Sequence, residues 1–189
     1  HDGRSRPEYQ IPVTFDAAKI YRLYNARAEE SMSSALVSDD NGTTTGHIET
    51  SEADESSDYA ALWQFEDLGE GTYRLRNLNA GYYLASRDHA TVADAAQAST
   101  FTLGEGASAT NWTLAVTNNE ALQENVYLNA HHCDDSNQGN PNSHAIGTWK
   151  NGASDAGNLW MLQEVNTVTL NVGPDGWATL CLPFAVSLP

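Results

Sequence analysis

One pattern limits what this chain can become: a strand-like motif reading aromatic–polar–Leu heads the same succession of four short runs three times. It begins at Tyr21 (YRLYNA), at Tyr73 (YRLRNL) and at Trp112 (WTLAV). A second run follows each, as ALVS from Ala35, YLAS from Tyr83 and YLNA from Tyr127. A weaker third run follows in GHIET, HATVA and AIGTWKN. An aromatic-led run then closes each unit, as LWQFEDL from Leu62, TFTLGE from Thr100 and LWMLQEV from Leu159. The unit starts lie 52 residues apart from Tyr21 to Tyr73, and 39 apart from Tyr73 to Trp112. Unequal spacing of this kind belongs in loops, which accept insertions while the repeated frame is kept.

The runs alternate apolar and polar residues over four to seven positions and are separated by Gly, Asn, Asp and Ser, which is strand and turn chemistry. Helical periodicity is weak; the one stretch that could form a helix is the Ala-rich Ala90–Ser99. Short strands at this density make a sandwich or a barrel, and three four-stranded units closing on each other make a twelve-stranded, pseudo-threefold β-trefoil. The expected fold is therefore all-β: residues 17–165 form the trefoil and residues 1–16 a polar lead-in. Residues 166–189 (NTVTLNVGPDGWATLCLPFAVSLP) read as strand, GPDG turn, strand, a short hairpin that opens an adjoining β domain.

Composition excludes some partners. Acidic residues number 25 against 9 Lys and Arg, a net charge of −16, which repels nucleic acid and anionic membrane surfaces. No apolar run approaches the roughly 20 residues of a membrane helix, so no membrane insertion is expected. The opening HDGRSRPEYQ has no apolar signal core. Cys133 and Cys181 are too few for a disulfide scaffold, and their spacing does not decide whether they pair. Two glycosylation sequons occur, NGT at Asn41 and NWT at Asn111. The second falls in an expected core strand, where a glycan would not fit, which favours a host without that modification.

The closing runs carry a resemblance. The chain resembles the ricin-type β-trefoil lectins and related sugar-binding modules of secreted bacterial multidomain proteins, over about Lys19 to Val165. That family has a Gln-x-Trp signature in its closing strands. The matching positions here are Tyr59–Trp63, Ala98–Phe101 and Asn158-Leu159-Trp160, the last with Asn in place of Gln. The resemblance implies non-catalytic glycan binding, a secreted or cell-surface location, and further domains of the same polypeptide, among them an enzyme such as a glycoside hydrolase. The competing expectations are a structural or protein-interaction trefoil without sugar binding and, less favoured, a small hydrolase.

Catalytic and metal chemistry find little support in the residues. In His131–Asn137 (HHCDDSN), neighbours on a strand point to opposite faces, so His131, His132 and Cys133 cannot all ligate one ion unless the loop coils; His132, His144 and Asp135 could converge, but their spacing matches no zinc pattern. Laid on the helix-loop-helix calcium pattern from Asp134, Gly139 falls at the sixth position, but Gln138 and Ala145 occupy ligand positions. No GxSxG elbow or phosphate-cradling Gly-rich loop occurs. No metal and no cofactor are expected.

A sugar site instead needs an exposed aromatic ring and a few amide or carboxylate groups. By the resemblance, the third repeat supplies the set. Asn129 follows the YL of the second run, where the family has its key Asp; Trp149 takes the stacking position and Asn151 the nearby amide position. Asp134 and Asp135 lie on the loop between and would rim the pocket. The first repeat offers Ser38, Asp39, Asp40 and His47, the second Ser86, Asp88 and His89, but neither has an aromatic on its third run. Both are expected to be silent.

Overall fold

The computed structural model describes residues 15–38, 40–41, 44–51, 59–79, 81–85, 90–92, 94–130 and 146–165. Twelve strands lie there in the order the repeats demand. Repeat 1 holds β1 (Ile20–Asn25), β2 (Ser31–Ser38), β3 (Thr44–Ser51) and β4 (Trp63–Gly69). Repeat 2 holds β5 (Thr72–Asn77), β6 (Tyr83–Ala85), β7 (Ala90–Val92) and β8 (Phe101–Glu105). Repeat 3 holds β9 (Trp112–Val116), β10 (Tyr127–Ala130), β11 (Ile146–Trp149) and β12 (Trp160–Glu164). Ala90–Ser99 is not a helix: its first residues are β7, and only a single 3-10 turn at Ala95–Gln97 follows, capped by Asp94, whose side chain accepts from Ala96 N. Thr91 and Val92, both β-branched, favour the extended chain, and the Asp94 cap stops the turn from extending backwards.

Six strands close a ring: β1 pairs with β4 and β12, β5 with β4 and β8, β9 with β8 and β12, all antiparallel. The remaining six form the hairpins β2–β3, β6–β7 and β10–β11. This is the β-trefoil. A ring of six strands is too narrow for anything but side chains, and the repeat supplies them in layers. Leu23, Leu75 and Leu114 are equivalent and fully buried, as are Trp63, Phe101 and Trp160, and Met32, Leu84 and Leu128. The two tryptophans also tie barrel to hairpin, each indole N–H donating within its own repeat: Trp63 Nε1 to Met32 O at 2.9 Å and Trp160 Nε1 to Leu128 O at 3.0 Å.

These bonds fix the register of the second strands and correct one alignment. Tyr24 pairs with Ser31, Arg76 with Tyr83 and Ala115 with Tyr127. Ser31-Met32-Ser33 is therefore the equivalent of Tyr127-Leu128-Asn129, four residues ahead of the ALVS match. A run of small polar residues carries no apolar signature, so the true start of β2 was hidden.

Asparagines staple the seams between repeats. Asn25 Nδ2 donates to Gly157 O at 2.8 Å, Asn77 Nδ2 to Ala60 O at 2.8 Å and Asn118 Nδ2 to Ala98 O at 2.9 Å. Each acceptor lies three residues before the aromatic of the preceding closing strand. The floor of the barrel is sealed by Phe15, whose ring lies 4.8 Å from Phe65, 5.1 Å from Tyr73, 5.8 Å from Tyr21 and 6.5 Å from Trp112. Tyr21, Tyr73 and Trp112 are repeat equivalents, so one residue of the lead-in plugs the pseudo-threefold axis. Asn111 precedes β9 in a half-exposed turn rather than in a core strand, which removes the steric objection to a glycan there. No helix among the described residues is long and apolar enough to cross a membrane.

Candidate functional site

Trp149 ends β11 directly opposite Tyr127, the first residue of β10. Side chains at paired positions stand on one face of a sheet, so the two rings share a surface. Trp149 is 42% exposed; Leu68 is the other large apolar side chain exposed to this degree among the described residues. Register shows why only one repeat has such a ring. The positions equivalent to Trp149 are Ser51, opposite Ser31, and Val92, opposite Tyr83.

The chain leaves Trp149 through a compact path. Asn151 adopts a left-handed conformation, φ 77°, which asparagine tolerates better than most residues. A 3-10 turn follows at Gly152–Ser154, closed by Ser154 N to Asn151 O at 3.1 Å, and a second at Ala156–Asn158 leads into β12. Asn158, fully buried, holds the path from below: its Nδ2 donates to Lys150 O at 2.8 Å and Gly152 O at 2.9 Å.

Beneath lies a connected polar cluster. Asn129 is buried, 1% exposed, and its amide N–H groups donate inward, to Asn158 Oδ1 at 2.7 Å and Asp155 Oδ1 at 3.3 Å. Asp155 Oδ1 also accepts from Gly157 N at 2.8 Å and from the Arg27 guanidinium, with which it forms an ion pair. Arg27 comes from repeat 1 and crosses the β1–β12 seam. Gly157 permits the close approach, since a Cβ there would lie 2.7 Å from Asn129 Nδ2 and 2.9 Å from Arg27 Nη1. Burying an amide and a carboxylate is tolerable because each is hydrogen-bonded and the charge is paired.

Of the five residues singled out by the sequence, Trp149 and Asn151 lie at the surface on one turn, and Asn129 lies beneath it as part of the supporting network. Asp134 and Asp135, and the whole of His131–Asn137, lie outside the described residues. Sequence reasoning missed Asp155, Asn158 and Arg27 as site residues. Asn158 was visible as the Gln-like position of the closing strand. Asp155 has the signature of a cap ahead of Gly157. Arg27 had none, since its partner lies 128 residues away.

No known protein family and no curated protein matches this sequence. Solved structures do. A lectin of Polyporus squamosus, bound to the epitope Neu5Acα2-6Galβ1-4GlcNAc, is 18% identical with a TM-score of 0.50; the match covers 80% of this chain and 50% of the lectin. The chain thus spans about half the length of that protein. The BEL β-trefoil is 12% identical with a TM-score of 0.56, covering 82% of this chain and 99% of that one. A Culex salivary protein of the Cysteine and Tryptophan-Rich family is 9% identical with a TM-score of 0.58, over 82% and 99% of the two chains. At these identities the likeness is one of architecture.

Proposed function

We propose that this chain is a non-catalytic carbohydrate-binding β-trefoil module that stacks one sugar ring on Trp149. The exposed indole at the end of β11, on the strand pair whose Asn129 enters a pre-formed polar cluster, carries the reading. A sugar offers an apolar C–H face to such a ring and an edge of hydroxyls to the groups beside it. Asn151 supplies an amide at the rim. Asp155 supplies the carboxylate acceptor: among the described residues its hydrogen bonds all fall on Oδ1, which leaves Oδ2 for a ligand hydroxyl. Asn129 is a positioning residue that holds Asp155 and Asn158 in place; Asp134 and Asp135, rim candidates by their place in the sequence, lie outside the described residues. The Polyporus lectin, whose glycan-bound structure shares this architecture, supports the same ligand class.

In the wider reading, the module belongs to a secreted or cell-surface bacterial protein. There the trefoil brings an attached enzyme, such as a glycoside hydrolase, to glycans. One weak site would gain strength from that tethering. The test is a glycan array followed by titration of the best binder. Trp149→Ala removes stacking worth about 1.5–3 kcal/mol, so affinity falls about 10- to 150-fold while the far-ultraviolet spectrum is unchanged. Absence of binding to any glycan, with tryptophan fluorescence indifferent to sugars, would establish a structural or protein-interaction trefoil instead.

A further inference from the structure

A second cleft lies away from Trp149, on the connection between β8 and β9. Trp149 faces Tyr127, whose strand pairs with Ala115 near the end of β9; the cleft sits at the start of β9, where Trp112 forms one wall. Its volume is about 450 Å³, within the range of small-ligand pockets. The turn that shapes it is pre-formed. Gly106 N donates to Asn111 O at 2.8 Å, Asn111 N to Ser108 O at 3.2 Å, and the Ser108 and Thr110 hydroxyls meet at 3.1 Å. Gly106 is required for this closure, because a Cβ there would sit 2.4 Å from Asn111 O. Trp112 is held from behind by Phe15, 6.5 Å between ring centroids, so its indole is a fixed wall rather than a mobile side chain.

The lining has hydrogen-bonding capacity to spare. Among the described residues, the Asn111 carboxamide, the Glu105 carboxylate and the Trp112 indole N–H have no hydrogen-bond partner, and all three residues line the cleft. One aromatic wall, one amide, one hydroxyl and one carboxylate match a ring with an apolar face and hydroxyls on its edge. Glu105 and the net charge of −16 disfavour anions. A cation could rest on the one ring beside Glu105, but the Asn111 amide and the Ser108 hydroxyl would then have no role, whereas a sugar uses all four groups.

We propose that the β8–β9 cleft is a second, independent binding site for a neutral hexose unit, walled by Trp112 and read by Asn111, Ser108 and Glu105. The trefoil then carries two sugar sites at opposite ends of β9 and can engage one glycan chain or two.

The test is a two-dimensional amide NMR titration with the methyl glycosides of glucose, galactose and N-acetylglucosamine. Few ligand atoms are engaged, so dissociation constants on the order of millimolar are expected. At least one glycoside should shift the amides of residues 105–111 and the Trp112 indole N–H saturably, in the wild type and equally in Trp149→Ala. Trp112→Ala would disturb the barrel floor. Ala109→Trp is therefore the decisive variant: Ala109 is exposed and lines the cleft, so a large side chain fills it without touching the core, and the shifts should vanish in a folded spectrum. Asn111→Ala should weaken binding about tenfold. The proposal is overturned if no glycoside gives saturable shifts at Trp112, if Ala109→Trp leaves them intact, or if only a cation such as choline produces them.

Discussion

Replacing Asn129 by the Asp that the lectin resemblance leads one to expect should damage this protein, and the damage should depend on pH. Asn129 Nδ2 lies 2.7 Å from Asn158 Oδ1 and 3.3 Å from Asp155 Oδ1. In Asn129→Asp an oxygen takes that place, facing a carbonyl and a carboxylate. Two like charges 3.3 Å apart repel by about 5 kcal/mol at an effective dielectric constant of about 20. Protonation limits this: keeping a carboxyl of ordinary pKa about 3.9 neutral at pH 7 costs about 4 kcal/mol. The Arg27 guanidinium on Asp155 offsets part of it, so the expected loss at pH 7 is about 3 kcal/mol. The new carboxyl has a raised pKa in the folded state, so the folded protein keeps a proton that the unfolded chain has released. Its stability is then greatest below about pH 4 and is lost as pH rises. At pH 4 the protonated group can donate to Asn158, and the deficit should shrink to about 1 kcal/mol. Urea titrations of both proteins at pH 4 and pH 7 measure this directly. The double variant Asn129→Asp, Asp155→Asn exchanges the two groups and should recover more than half of the loss at pH 7. A deficit equal at both pH values, or a double variant no better than the single one, would refute the link between Asn129 and Asp155.

Two further perturbations test the frame that carries the site. Phe15→Ala empties the barrel floor; Phe-to-Ala changes in cores cost about 3–5 kcal/mol, and with Phe15 half-buried about 2–3 kcal/mol is expected in chemical denaturation, whereas a loss under about 0.5 kcal/mol would mean the ring is not a plug. Burial pushes the Tyr21 hydroxyl above its usual pKa, and the Glu164 carboxylate raises Lys19 through a hydrogen bond and charge. Both groups hold protons in the folded state that the unfolded chain gives up, so stability should fall as pH rises beyond about 10. Tyr21 hydrogen-bonds both backbone groups of Asp16, at 2.9 and 3.0 Å. Tyr21→Phe should therefore cost about 1 kcal/mol at neutral pH but flatten the alkaline decline; parallel pH curves would count against the burial of that hydroxyl.

The trefoil was legible because each repeat must place an aromatic, a Leu and a second Leu or Met at fixed steps to fill a ring six strands wide. Leu23, Leu75 and Leu114 announce it. Where core demand is absent, the signal fades. Ser31-Met32-Ser33 in β2 offers one apolar residue and was aligned four residues late. Ala90–Ser99 is rich in Ala, yet neither its strand nor its 3-10 turn is decided by helix propensity, because β7 must pair with β3 and β6. The site divides the same way. Trp149 stood out because a large ring among Thr148, Lys150 and Asn151 breaks the alternation of a core strand. Arg27 did not, because a long-range ion pair leaves no local pattern.

That ion pair bears on what sets the candidate site in repeat 3 apart from the described parts of the other two repeats. Its polar cluster is completed across the seam where the first and last strands of the trefoil meet. Asn25 fixes Gly157, and two residues on, Arg27 fixes Asp155. At the next seam Asn77 staples Ala60, but the residue two on is Asn79, which reaches only the backbone of Ser34 at 3.4 Å. At the third seam Val116 replaces the staple, and Asn118, standing at the place of Arg27, takes over its role. Among the described residues, the β1–β12 seam alone has both an asparagine staple and, two residues on, a cation paired with a half-buried carboxylate across the seam. The cation belongs to repeat 1 and the carboxylate to repeat 3, so the ion pair forms only when the barrel closes. A chain lacking β1 would lose the Arg27–Asp155 ion pair and the Asn25–Gly157 staple even if β9 to β12 kept their pairing, which makes closure of the seam a condition for the charge pairing of Asp155.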